Sequence, residues 1–187
     1  LATGKVLGGS AAINGMVYLR APAADYNRWR LLGNDDWDAA GLRSCFARME
    51  DPATGTLSPR RAPGEHALDR AFVHACGRVG IPLREDLNGL ANEGAGFLRF
   101  NIRDGRRYST PQAYLAPARR RPNLDLMTSA TVLRINIERG QARGVEVLRR
   151  GAREHIPVLR EVIIAVGALK SPQLLMLSGV GPADALR

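Results

Sequence analysis

GKVLGGSAAINGMVY, residues 4–18, places three bare backbone positions, Gly8, Gly9 and Gly15, among apolar side chains and two small polar ones, Ser10 and Asn14. Glycine lets a chain turn tightly or lie close against another surface, because no Cβ stands in the way. Ser10 and Asn14 add short hydrogen-bonding groups at the same place. This is chemistry for holding a ligand against backbone rather than for attacking it.

A second stretch, GALKSPQLLMLSGVGP at residues 167–182, follows the run VIIAV at 162–166. That run is apolar on both faces, which predicts a central strand of a parallel sheet. Ser171 reads as an N-cap with Pro172 at the first helical position, Leu174, Leu175 and Leu177 as the apolar face, and Gly179 as the stop. Strand, glycine turn and helix N-terminus form the unit that presents backbone N–H groups to a phosphate or a flavin.

The remaining reactive side chains suggest no catalytic set. His66 falls in a loop at the start of a helical stretch, His74 on a helix and His155 in a strand region. Cys45 and Cys76 stand alone without CxxC spacing, which predicts thiols in a reducing compartment rather than a disulfide or a zinc site. No metal site is expected.

Composition bounds the alternatives. With 45% apolar and 24% charged residues, the 187-residue chain has the make-up of a folded protein and not of a disordered one. Nothing approaches 18 consecutive apolar residues, so no transmembrane segment is expected. The formal charge of +9 raises an anionic polymer as a partner. The basic residues are scattered, however, and no aromatic interleaves with Arg119, Arg120 and Arg121 as base stacking requires. Nucleic acid is therefore not the expected partner, and a non-catalytic basic module remains the rival reading. The chain opens on Leu1, with no basic region and apolar core of a signal peptide ahead of the first motif, and it reads as an internal piece of a longer protein.

The elements that must position these residues follow from periodicity. Helices are expected at 23–32, stopped by Gly33-Asn34, at 38–49 with Leu42, Cys45, Phe46 and Met49 on a core-facing stripe, and at 66–79 with Leu68, Phe72, Cys76 and Val79. Residues 51–65 and 84–96 read as loops. A strand is expected at 97–102 before the turn at Asp104-Gly105. β-favouring runs at 124–128, 131–138, 142–148, 154–159 and 162–166 are separated by turns such as Arg139-Gly140 and Arg150-Gly151, and three of them read as an antiparallel meander.

The first glycine stretch resembles the first sequence signature of the glucose-methanol-choline (GMC) oxidoreductases, and GALKSPQLLMLSGVGP resembles the second, in the right order. NGMVYLR, ADYNRW, GNDDWD, RDGRRYSTPQAYL, RPNLDLMTSATVLRI and GVEV are similar to the choline-dehydrogenase-like and alcohol-dehydrogenase-like bacterial branch, so the resemblance runs through the whole chain. It implies an α/β fold with a Rossmann-like FAD-binding domain that includes the meander, plus part of a cap or substrate domain, truncated at both ends. The implied division is 1–20 for FAD binding, 21–121 for the cap and substrate region, and 122–187 for FAD binding again.

The activity implied is oxidation of a primary alcohol, choline-like or other, to an aldehyde by hydride transfer to FAD. Oxygen or a respiratory-chain quinone would be the electron acceptor, and the location cytoplasmic or membrane-associated. Gly8, Gly9 and Ser10 would run beside the cofactor, Asn14, Gly15, Met16 and Val17 would lie against its ring, and Val132 would meet the adenine through its main chain. Ala11, Ala21 and Asp36 depart from the family pattern, the first by removing a hydroxyl. No GxGxxG loop after a strand is found, and none of the three histidines matches the family's catalytic pair, which is expected outside this chain. A truncated, non-catalytic remnant of such an enzyme is the further alternative.

Overall fold

Asp38 and His66 show why two of the helices begin where they do. Asp38 Oδ1 accepts from Gly41 N at 2.7 Å and starts α2, Ala39–Glu50. His66 Nδ1 accepts from Leu68 N at 3.2 Å while Asp69 accepts from the His66 N–H, a reciprocal cap that starts α3, Ala67–Arg78. The first helix, α1, spans Ala23–Leu31 and ends at Gly33 with φ +96°. The computed structural model describes residues 2–51, 56–89 and 93–185. The parts of the expected loops at 52–55 and 90–92 lie outside the described residues.

The chain divides into two compact units, Leu1–Leu124 and Asp125–Arg187. In the first, a three-stranded sheet of very short strands joins β1 (Val17–Tyr18), β3 (Arg99–Phe100) and β2 (Arg60–Arg61), all antiparallel, with β3 in the middle. The expected strand at 97–102 is broken at Asn101. Beyond it, β4 (Ile102–Arg103) and β5 (Arg106–Arg107) form a hairpin across Asp104-Gly105, both with positive φ. Positive φ at both central residues gives the turn whose twist matches paired strands. A π-helical turn at Pro111–Leu115 then runs into α4, Ala116–Ala118.

The second unit is the expected meander, β6 (Ala130–Glu138), β7 (Gln141–Arg149) and β8 (Ala152–Pro157), with α5 (Lys170–Leu177) on it. Arg139-Gly140 and Arg150-Gly151 are its two turns, each with positive φ at both residues. Its core is Ile135, Val147 and Leu174, all buried. Ser178, the residue after α5, donates to Leu174 O at 2.6 Å and accepts from Ile135 N at 2.8 Å, so one hydroxyl ties the helix end to β6.

Several expected elements differ. Residues 162–166 form no strand, and Ile163 is 81% exposed. A strand apolar on both faces needs neighbours on both sides, and among the described residues nothing pairs with it. Residues 124–128 likewise form no strand. Ser171 is not the cap of α5, because Lys170 is already helical and the Ser171 N–H donates to Gly167 O at 2.9 Å. The apolar stripe of α2 is half-buried as expected, whereas Leu68, Phe72 and Val79 on α3 are exposed. Periodicity identifies a face that wants cover, not what covers it.

Candidate functional site: the glycine loop

The loop at residues 4–16 is built from its own short-range bonds. Gly9 N donates to Val6 O at 2.8 Å, closing a turn around Gly8, and residues Gly9–Ala12 continue as a single 3-10 turn. The Ser10 hydroxyl accepts from Gly4 N at 3.2 Å, while the Ser10 carbonyl accepts from Asn14 N at 2.9 Å.

The three glycines are bare for different reasons. Gly8 has φ +88°, and a Cβ there would run into the ring of Pro111, so close packing within the unit requires it. Gly9 has φ +55°, a left-handed conformation, and open space where a Cβ would be. Gly15 has neither constraint, since its φ is not in the left-handed region and no protein atom lies within 4 Å of its would-be Cβ. Packing within the described residues therefore gives no reason for glycine at 15.

After Gly15 the chain is held in an uncommon conformation. Met16 has φ +61°, unusual for an unbranched apolar residue. Its N–H donates to Asn14 Oδ1 at 3.1 Å and its carbonyl accepts from Asn101 N at 2.8 Å. Arg107 completes the loop: Nη1 donates to Ala11 O at 3.1 Å and to Asn14 Oδ1 at 2.8 Å. Around it Val6, Leu7, Ile13, Val17 and Leu19 are all exposed. An open apolar groove of about 330 Å3 passes Gly8, Pro111, Tyr114 and Leu115.

Behind the loop, β1 is anchored by a half-buried polar network. The Tyr18 hydroxyl donates to Glu50 Oε1 at 2.7 Å, and Arg20 meets both carboxylate oxygens. Burial, then the hydrogen bond to Glu50 and its charge, push the Tyr18 phenol above its ordinary pKa, with Arg20 opposing. Burial works against the Arg20 charge, but the hydrogen bond and charge of Glu50 outweigh it and raise its pKa. Asn88, itself buried, accepts from Arg20 N at 2.6 Å and donates to Tyr18 O at 3.3 Å. The network fixes the exit of the loop.

Of the residues expected at the site, Gly8, Gly9, Ser10, Asn14, Gly15, Met16 and Val17 therefore stand together on one loop and the start of β1. Val132 belongs to the second unit, on β6 opposite Val147 and 38% exposed. The register skips Leu133 next to it, a bulge that takes backbone out of the ladder. His66 is occupied as a helix cap, and His155 Nδ1 lies 2.9 Å from Asn136 Nδ2. Among the described residues no group of side chains could hold a metal ion, and no helix is long and apolar enough to cross a membrane.

Arg107, Asn101, Glu50 and Asn88 were not expected at the site. Arg107 lies in the stretch RDGRRYSTPQAYL, where a basic pair beside a turn reads as solvated charge. Its partners are 96 and 93 residues away, and no local spacing signals them.

The loop fits a flat, partly apolar occupant: bare backbone at Gly9 and Gly15 faces open space, apolar side chains flank it, and Asn14 offers a hydrogen-bonding amide. The family model described as GMC oxidoreductase matches residues 1–186. The mitochondrial choline dehydrogenase of Mus musculus is 43% identical over 98% of this chain and 32% of its own length. The oxygen-dependent choline dehydrogenase of Rhizobium meliloti is 42% identical over 98% of this chain and 35% of its own. The chain thus spans about a third of the length of these curated relatives.

Among solved structures, pyridoxine 4-oxidase from Mesorbium loti superimposes with a TM-score of 0.91 at 33% identity, covering 98% of this chain and 38% of that one. An FAD-dependent oxidoreductase from Chaetomium thermophilum shares the fold, with a TM-score of 0.86 at 24% identity over 100% of this chain and 36% of that one. With a family model matched almost end to end, the chain belongs to the GMC oxidoreductases, a family of FAD flavoproteins.

Proposed function

We propose that this chain seats FAD in an enzyme that oxidises a primary alcohol, choline or a similar compound, to an aldehyde. The observation that carries the reading is the glycine loop, in which Gly15 has neither a left-handed φ nor a neighbouring protein atom to explain its bare backbone. FAD, when bound, supplies the ring that accepts the hydride from the alcohol carbon.

The protein's own residues bind and orient. Gly8, Gly9 and Ser10 carry the backbone past the cofactor without side chains in the way. Asn14, Gly15, Met16 and Val17 line its ring, the left-handed Met16 re-aiming the chain between them, and the main chain of Val132 beside its bulge meets the adenine. Residues 1–20 and 122–187 serve cofactor binding, and 21–121 serve the cap and substrate region. The base that takes the alcohol proton is none of His66, His74 or His155 and lies outside this chain. A base must be within hydrogen-bond reach of the proton it removes.

The experiment uses the full-length protein. It is expected to purify with a yellow chromophore that denaturation releases as FAD, and anaerobic choline or another primary alcohol is expected to bleach it. Purification without flavin, together with salt-sensitive retention on nucleic acid, would favour the basic-module reading instead.

A further inference from the structure

Two donors, the Met16 N–H and the Arg107 guanidinium, converge on one atom of the Asn14 amide, at 3.1 and 2.8 Å. Neither a backbone N–H nor a guanidinium can accept, so that atom must be the oxygen. The amide NH2 group then points away from both, and among the described residues it has no partner. Asn14 itself is exposed, beside Gly15 and its open space.

We infer that Arg107 is a positioning residue that turns the Asn14 amide so that its NH2 group faces the open side of the loop, as a donor to an electron-rich atom of the flavin ring. This rests on the flavin reading above. Without Arg107 one of the two donors that orient the amide is gone, and the oxygen is free to turn outward, where it would repel the charge that reduction builds on the ring. The guanidinium also polarises the amide through its oxygen, which makes the NH2 a stronger donor.

The hairpin geometry explains how a residue so distant in sequence does this. The turn at Asp104-Gly105 pairs Ile102 with Arg107, and the strand before it is tied to the loop by Asn101 N to Met16 O at 2.8 Å. Tyr108 N donates to Asn101 O at 2.9 Å and holds the exit of β5 to the same point. Arg107 is thus delivered to the loop by a hairpin fixed to it. Among the described residues it pairs with no carboxylate, so its donors are committed to Ala11 and Asn14.

The test is a double-mutant cycle on the midpoint potential of FAD bound to the full-length protein. Arg107→Met is expected to make the potential more negative, the preference for reduced over oxidised FAD falling roughly tenfold, the scale of one charge-assisted hydrogen bond. Asn14→Ala is expected to shift it the same way, and adding Arg107→Met to Asn14→Ala should shift it no further. Arg107→Lys, which keeps a cationic donor, should recover part of the effect and serves in place of Arg107→Met should that variant fail to fold.

A wild-type potential in Arg107→Met, or an Arg107 effect that persists in full with alanine at 14, would overturn the assignment. The persistent effect would mean that the charge or the scaffold acts without the amide. Wild-type protein that takes up no FAD overturns the flavin reading and this inference together, whereas flavin present with unmoved potentials overturns only the inference.

Discussion

Arg20 grips the carboxylate of Glu50 with two nitrogens, Nε to Oε1 at 2.8 Å and Nη2 to Oε2 at 2.6 Å, and Tyr18 donates to the same Oε1 at 2.7 Å. Two-point guanidinium pairing is directional, and the two side chains are only 26% and 17% exposed. Glu50→Ala leaves a half-buried guanidinium and a phenol without their shared acceptor. The expected loss is about 2 kcal/mol of unfolding free energy, below the range for a fully buried pair because solvent reaches the site. Urea denaturation checks it, and a loss under about 0.5 kcal/mol would mean that water replaces the carboxylate.

The same network sets an alkaline limit. Burial and Glu50 raise the Tyr18 phenol above its ordinary pKa, so the folded state keeps a proton that the unfolded chain gives up near pH 10. The stabilisation is therefore complete below about pH 10 and declines as pH rises above it. Tyr18→Phe is expected to cost about 1 kcal/mol at neutral pH and to flatten the fall on the alkaline side. Thermal melts of both proteins across that range compare the slopes, and parallel curves would exclude Tyr18 as the source.

Gly8 and Gly15 separate packing from binding. Gly8→Ala forces a Cβ into Pro111 at a left-handed φ and is expected to destabilise the protein by about 2 kcal/mol or more. Gly15→Val meets no protein atom near its Cβ and should change stability by less than about 0.5 kcal/mol. On the flavin reading it nonetheless abolishes the bound chromophore of the full-length protein. A Gly15→Val protein purified with stoichiometric FAD contradicts that reading of the loop.

Ser178 carries two bonds with one hydroxyl, accepting from Ile135 N and donating to Leu174 O. Ser178→Ala strands the N–H of a buried strand residue and is expected to cost roughly 1–3 kcal/mol. Hydrogen exchange at Ile135 should accelerate along with it, a local signature that a general loss of stability would not single out.

The hairpin turns offer gains. Arg139 and Arg150 hold φ of +50° and +51° at the first turn position, where asparagine is better tolerated. Arg139→Asn and Arg150→Asn should each stabilise the meander by a few tenths of a kcal/mol. A fall in stability for both would show that the arginines contribute contacts beyond the turn.

What the sequence determined by itself is what short-range chemistry determines. Asp38, the helix periods and the glycine stops set α1, α2 and α3 within a residue or so, because capping and periodicity act over one to four residues. Arg139-Gly140 and Arg150-Gly151 set the meander for the same reason. The two glycine signatures were enough to indicate the family, and Gly8 to Val17 were legible as one loop because they are contiguous.

The tertiary structure decided what depends on distant partners. Residues 162–166 look like a buried strand by composition, yet pairing requires neighbours, and none of the described residues supplies them. Asn14 was legible as a polar residue in the loop, but the direction of its amide depends on Arg107, 93 positions away. Local propensity carries no information about a bond across that separation. Which group of Asn14 faces outward, and hence what the loop can offer a ligand, is decided by the hairpin that brings Arg107 back to it.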